Sequence, residues 1–197
     1  MTVLDIDLDA FVQPAVANRR EGDPRPDDGD HTVSSVGEVS EYLHKWHVTP
    51  KTPLLRCELH DGVLAPVAAL IGNGVLSPPL RWVHVDAHDD LYGHYSRKTT
   101  SANFMYEVIR RKWPSEIVWA YPPNHDQGPP GYVFDWRTRE ICFEDYRAPF
   151  RAVPLAELTL PDAPAFAFLC RSPSFSPPKA DALFDYIVSC FAVAEVS

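Results

Sequence analysis

Two apolar runs that end in closely spaced carboxylates constrain this chain more than any other feature. The longer is Arg81-Trp82-Val83-His84-Val85-Asp86-Ala87-His88-Asp89-Asp90, which reads as a buried strand delivering metal ligands at its end. In an extended segment successive side chains point to opposite faces, so Asp86, His88 and Asp90 share one face while Ala87 and Asp89 take the other. The shorter run, Val3-Leu4-Asp5-Ile6-Asp7-Leu8-Asp9, places Asp5 and Asp7 on one face, roughly 6.6 Å apart by strand rise. Two carboxylates this close resist ionising together unless cations lie between them. A pair of divalent ions about 3.5–4 Å apart fits between two such strand ends, with one or two carboxylates bridging. Oxygen-rich ligation with one or two imidazoles suits Mn²⁺ best, with Fe²⁺, Co²⁺ or Zn²⁺ as alternatives. Asp9 shares the face of Asp5 and Asp7 if the strand persists, and either supports the ligands or closes a turn. Asp89 points away, as a local cap or ion-pair partner.

Around these runs strands alternate with helices. Residues 2–8, 54–60, 80–86, 116–121 and 165–170 read as strands, and 35–46, 62–71, 102–112 and 181–193 as helices. Val36, Val39, Tyr42, Leu43 and Trp46 mark the first helix by their spacing. Pro66 belongs in the first turn of the second or kinks it, and Ser101 is placed to cap the third. Residues 132–136 and 140–143 resemble the arms of a hairpin. Between 18 and 35 the chain is rich in Asp, Gly, Pro and Arg without apolar periodicity, a flexible loop long enough to cover a substrate. The alternation predicts an α/β fold of three layers, α/β/α, with a mostly parallel central sheet. Ligands of such sheets bind beyond the carboxyl ends of the strands, where Asp5, Asp7, His60, Asp86, His88 and Asp90 all fall.

A chain of 197 residues suits a single domain spanning 1–197. Its 45% hydrophobic and 12% aromatic content excludes global disorder. The formal charge of −9 argues against binding nucleic acid, whereas an acidic cleft attracts a cationic substrate. Cys57, Cys142, Cys170 and Cys190 lack C-x-x-C spacing and read as free thiols in apolar surroundings. No apolar run reaches the roughly 18 residues of a membrane helix, and no secretory signal precedes the first run, so a cytoplasmic location is expected.

The same residues carry a family resemblance. Asp86-Ala87-His88-Asp89-Asp90 resembles the D-A-H-x-D motif of the arginase and agmatinase ureohydrolases, and Asp5-Ile6-Asp7 resembles their D-x-D motif. Thr99-Thr100-Ser101-Ala102-Asn103 is similar to their T-T-S-G-N substrate loop, and Cys57-Glu58-Leu59-His60-Asp61 lies where they have a strand ending in a histidine ligand. Ordinary arginases are longer and carry D-x-D late in the chain. Its place at the start here, together with Arg171-Ser172-Pro173-Ser174-Phe175-Ser176-Pro177, resembles the peptide arginases, which convert arginine side chains of ribosomally made precursor peptides to ornithine.

That resemblance implies an arginase/deacetylase-like fold and two Mn²⁺ per chain. His60, Asp86, Asp90 and Asp5 would hold one ion and Asp86, His88, Asp5 and Asp7 the other, with Asp86 and Asp5 bridging. Ser101 and Asn103 correspond to residues that contact the amino-acid end of the substrate. The carboxylate that grips the guanidinium stays open among Glu58, Asp61, Glu140 and Glu144. Arginases assist proton transfer with a histidine at the position of Met105, which leaves His94, on the intervening loop, as the substitute. His84 matches the ligand face but sits deeper, and reads as a buried, hydrogen-bonded histidine. The expected activity is hydrolysis of arginine within a precursor peptide to ornithine and urea. The alternatives are a small-guanidine ureohydrolase or deacylase of the same fold, and a catalytically silent peptide-binding scaffold.

Overall fold

The computed structural model describes residues 1–92, 98–123, 134–135, 137–143 and 146–193. The chain opens with β1 (Thr2–Asp7), a short antiparallel pair β2 (Val12–Gln13) and β3 (Thr32–Val33), then α1 (Val36–Lys45). β4 (Pro53–Cys57), α2 (Leu64–Gly72), β5 (Leu80–Val85), α3 (Phe104–Arg110) and β6 (Pro114–Tyr121) complete the alternating part. β7 (Phe134–Asp135), β8 (Glu140–Phe143), β9 (Tyr146–Pro154), β10 (Phe166–Cys170), α4 (Asp181–Ser189) and β11 (Ala192–Val193) follow.

Seven strands run parallel in the order β11-β4-β10-β1-β5-β6-β9, and β8 and β7 extend this sheet antiparallel from β9. β1 lies at the centre because it can be covered on both faces. Leu4 and Ile6 pack with Leu43, Trp46, Phe184 and Ile187 of the α1/α4 layer, while Val3 joins Trp82, Trp119 and Phe168 under α2 and α3. Full burial of a side chain such as Leu4 or Ile6 is worth roughly 1.5–3 kcal/mol. The α/β architecture with a mostly parallel sheet between helices is therefore the observed one.

Local signals set most boundaries. Ser35 caps α1 and forms a reciprocal capping box with Glu38. Pro66 occupies the first turn of α2, where its missing N–H has no partner to lose. Three expectations shift. Thr100, paired with Asn103, caps the turn before α3, and the Ser101 hydroxyl instead accepts a hydrogen bond from the backbone N–H of His60 at 3.1 Å. The last helix ends at Ser189, and the chain returns as edge strand β11 beside β4. β9 has no counterpart in the sequence reading, because Pro149, Pro154, Arg147 and Arg151 disguise its pattern. The 132–143 hairpin is seen through β7 and β8, and its residues 132–133 and 136 lie outside the described residues.

Residues 18–31 cross the sheet's carboxyl end and dock on the segment after β10. Arg25 donates to the Ser176 and Pro177 carbonyls and to both Asp181 oxygens, and Ser174 links to Gly22 and Asp23.

Candidate metal centre

Register decides which carboxylates meet. Asp5 pairs with His84 and Ile6 with Val85 across β1 and β5, so Asp7 comes level with Asp86 and Asp5 lies one layer deeper. The chain then leaves the strand: Asp7 caps the short helical turn Leu8–Phe11, its Oδ1 accepting from the Asp9 N–H at 3.0 Å. This turn swings Asp9 back toward β5, where its Oδ1 accepts from the Ala87 N–H at 3.3 Å. After β5, His88 N–H donates to Asp86 Oδ1 at 2.7 Å, curling the D-A-H-x-D segment over the same spot.

The cluster has two poles joined by Asp86. At the first, His60 Nδ1 lies 3.1 Å from Asp7 Oδ2, 3.0 Å from Asp86 Oδ2 and 3.1 Å from Asp90 Oδ2. At the second, His88 Nδ1 lies 3.0 Å from Asp9 Oδ2 and 3.4 Å from Asp86 Oδ1. His88 Nε2 faces the Val16 carbonyl at 3.2 Å, which makes that nitrogen the donor and leaves Nδ1 as a lone pair toward the carboxylates. The Ser172 hydroxyl donates to Asp7 Oδ2 and contacts Cys170 Sγ. Asp90 and Ser172 hold left-handed backbone conformations, φ 52° and 44°, each a strained choice for a non-glycine residue that neighbouring contacts must offset.

Asp5, Asp7, Asp9, Asp86 and Asp90 face His60, His84 and His88, and all but His88 are buried. Burial and the adjacent Asp7 and Asp86 push the Asp9 carboxyl well above the usual carboxylate range. Burial and Asp86 push Asp90 up to about 7. Burial opposes charge on Asp86 too, yet His60 and His88 hold it well below that range. The three imidazoles, though burial disfavours their charged forms, are raised by the carboxylates around them. Asp9, Asp90 and the imidazoles thus favour their protonated forms, as expected of a ligand set short of positive charge.

Orphaned atoms say the same. Among the described residues His60 Nδ1, His84 Nε2 and Asp90 Oδ2 are buried without a hydrogen-bond partner, since none of the close contacts of His60 Nδ1 has the alignment of one. Each such atom costs on the order of 1–3 kcal/mol if nothing meets it. Neighbouring ligands held at about 2.1 Å by an octahedral divalent ion are themselves about 3.0 Å apart, the spacing found around His60 Nδ1. The residues fit divalent cations.

A cavity of about 330 Å³ opens onto the cluster. Asp7, Asp9, Asp86, His88 and Asp90 form its floor; Ala17, Asn18 and Arg19 of the docked loop, Ser172 and Phe175, and Tyr92, Ser101 and Ala102 form its walls.

Of the six expected ligands, Asp7, His60, Asp86, His88 and Asp90 converge at the two poles. Asp5 does not take the bridging place expected for it. Its Oδ1 faces His60 Nε2 at 2.8 Å, and its Oδ2 faces Trp82 Nε1 at 3.1 Å and His84 Nδ1 at 3.2 Å, because register sets it a layer too deep. Asp9 stands in the pair with Asp7 instead. The third carboxylate of the D-x-D-x-D run is the signal that could have found it. Asp5 does lie within ligand distance of His60 and His84, a group that could itself hold an ion, and its Oδ2 accepts from the Trp82 indole N–H. Ser101 lines the cavity, whereas Asn103 spends its amide on Thr100 N–H and the Lys98 carbonyl. Glu58 is exposed, 3.5 Å from Arg171, and lines a separate cavity with Arg56 and Phe184. Glu140 pairs with Arg147 at 3.7 Å, far along the chain's hairpin extension. Met105 is buried under α3's layer, and His94 and Glu144 lie outside the described residues. No helix among the described residues is long and apolar enough to cross a membrane.

No family model matches the chain, and no curated protein or solved structure shows significant similarity to it.

Proposed function

We propose that this protein is a binuclear, Mn²⁺-dependent hydrolase of an arginase-like fold that converts arginine side chains of a precursor peptide to ornithine. The observation that carries the hydrolase reading is the two-pole cluster of aspartates and imidazoles at the floor of an open cavity. His60, Asp7, Asp86 and Asp90 would hold one cation and His88, Asp9 and Asp86 the other. Bound there, divalent cations supply Lewis acidity and lower the pKa of water toward neutrality.

The chain's own groups do the rest. Ser172 fixes Asp7 by its hydroxyl, and the Val16 carbonyl fixes the ring of His88. The wall residues Phe175, Tyr92 and Ala102 shape a slot for an aliphatic stem, and Arg19 offers a partner for a peptide carbonyl or carboxylate. Hydrolysis adds one water across the bond between guanidinium carbon and side-chain nitrogen, releasing urea and leaving the amine of ornithine. The peptide character of the substrate rests on the motif order that resembles peptide arginases.

Mass spectrometry of an arginine-containing precursor peptide and of free arginine, each incubated with the Mn²⁺-loaded protein, tests this. Loss of one CN₂H₂ unit per modified arginine, with free arginine untouched, supports the proposal. Turnover of free arginine alone makes the protein a small-guanidine ureohydrolase. Metal binding with no change in either substrate points to a deacylase or a silent scaffold.

A further inference from the structure

The deepest layer of the site is a carboxylate surrounded by rings. Asp5 is fully buried, and its two oxygens meet the ring nitrogens of His60, His84 and Trp82 at 2.8, 3.2 and 3.1 Å. An ionised carboxylate only accepts hydrogen bonds, so each nitrogen facing it carries the proton. In the neutral rings the opposite nitrogens, His60 Nδ1 and His84 Nε2, are then lone pairs directed at the cluster, the form in which an imidazole binds a cation. Both are buried and without a hydrogen-bond partner among the described residues.

Phe104 holds the two rings in place, stacked on His60 at 4.5 Å and edge-on to His84 at 5.6 Å. His84 Nε2 stands 3.4 Å from Asp86 Oδ2 and 3.8 Å from Asp90 Oδ2, the two oxygens that lie 3.0 and 3.1 Å from His60 Nδ1. One small region thus gathers two imidazole lone pairs and the carboxylates of Asp7, Asp86 and Asp90.

We infer that His84 is a second imidazole ligand of the cation held by His60, and that Asp5 is the positioning residue that turns both rings toward it. The inference rests on the cation-binding part of the proposed function and goes beyond its ligand set, which gives each ion one imidazole. It has a chemical consequence. A second nitrogen donor moves the site's preference from Mn²⁺ toward Zn²⁺, Co²⁺ or Fe²⁺.

The test needs no substrate. Zn²⁺ and Mn²⁺ are titrated into the metal-free full chain, its His84→Gln variant and its Asp5→Asn variant, and the Zn²⁺-loaded wild type is crystallised. The expected crystal structure has His84 Nε2 at about 2.0–2.1 Å from the ion. His84→Gln should weaken one Zn²⁺ site more than the corresponding Mn²⁺ site. Asp5→Asn should weaken it roughly 10–100-fold, with circular dichroism unchanged. A bound ion with His84 beyond bonding distance overturns this inference alone. Failure of the wild type to bind either ion overturns it together with the metal-centre reading. If a variant does not fold, the wild-type crystal structure decides by itself.

Discussion

The ends of β1 and β5 look alike in sequence and behave differently in space. Both are apolar runs that pass into acidic residues two apart. At β5 the set Asp86, His88 and Asp90 arrives at the cluster together, carried there by the curl that follows the strand's end at Val85. At β1 the same alternation offers Asp5, Asp7 and Asp9, and the cluster's two poles take the last two while Asp5 stays level with His84. Alternation tells which face a side chain takes, but it does not tell how far along the strand the sheet's edge lies. Inter-strand register does.

The largest expected effect is on the residue the two ends share. Asp86→Ala removes the carboxylate common to both poles, and urea release from an arginine peptide should fall by roughly 10²–10³-fold or more. Retained turnover would dissolve the cluster as an active site. Asp9→Asn sharpens the comparison: bound Mn²⁺, counted by inductively coupled plasma spectrometry, should drop from two ions toward one. Asp5→Asn should keep two at saturating metal. The opposite pattern would restore Asp5 as the ligand.

Metal binding should also stabilise the fold. At Mn²⁺ one hundred times its dissociation constant the gain is about 2.7 kcal/mol per site, visible as a rise in melting temperature that chelation reverses and that Asp86→Ala largely lacks. Ser172→Ala deletes the hydroxyl that donates to Asp7 while keeping a strained backbone, and should cost about 1 kcal/mol in urea unfolding.

The smallest effect concerns the loop that borders the cavity. Arg25 hydrogen-bonds Asp181 and holds its carboxyl below the usual range. This stabilisation is complete above the ordinary carboxylate pKa and is lost as pH falls through the lowered value. The pair is partly exposed, so its share of the cost of Arg25→Ala should be under about 1 kcal/mol near neutral pH, and that share should be lost in acid. A difference wholly independent of pH would show that the loop is held by the carbonyl contacts of Arg25 to Ser176 and Pro177 and not by the ion pair.

Much of the architecture was legible because it is written in local periodicity. The helices α1 and α2, the strands β1, β4, β5, β6 and β10, and the convergence of their carboxyl ends follow from spacing, caps and glycine stops. β9 was not legible, since prolines lack the N–H that a paired strand donates and its arginines break the apolar run, yet it pairs with β6 on one side and β8 on the other. Nor was β11: nothing in the apolar run 187–193 distinguishes a helix that continues from one that stops at Ser189 and turns back to β4.

At the site the division is sharper. The residues alone indicated that acids and imidazoles of two apolar runs face one another and that such a group could hold cations. Only the folded chain settled which of them do, placing Asp5 beneath His60 and His84, bringing Asp9 up beside Asp7, and turning Glu58 toward Arg171. Face is a property of a single strand with period two. Depth and partnership belong to the packing of several strands and turns, which no local pattern encodes.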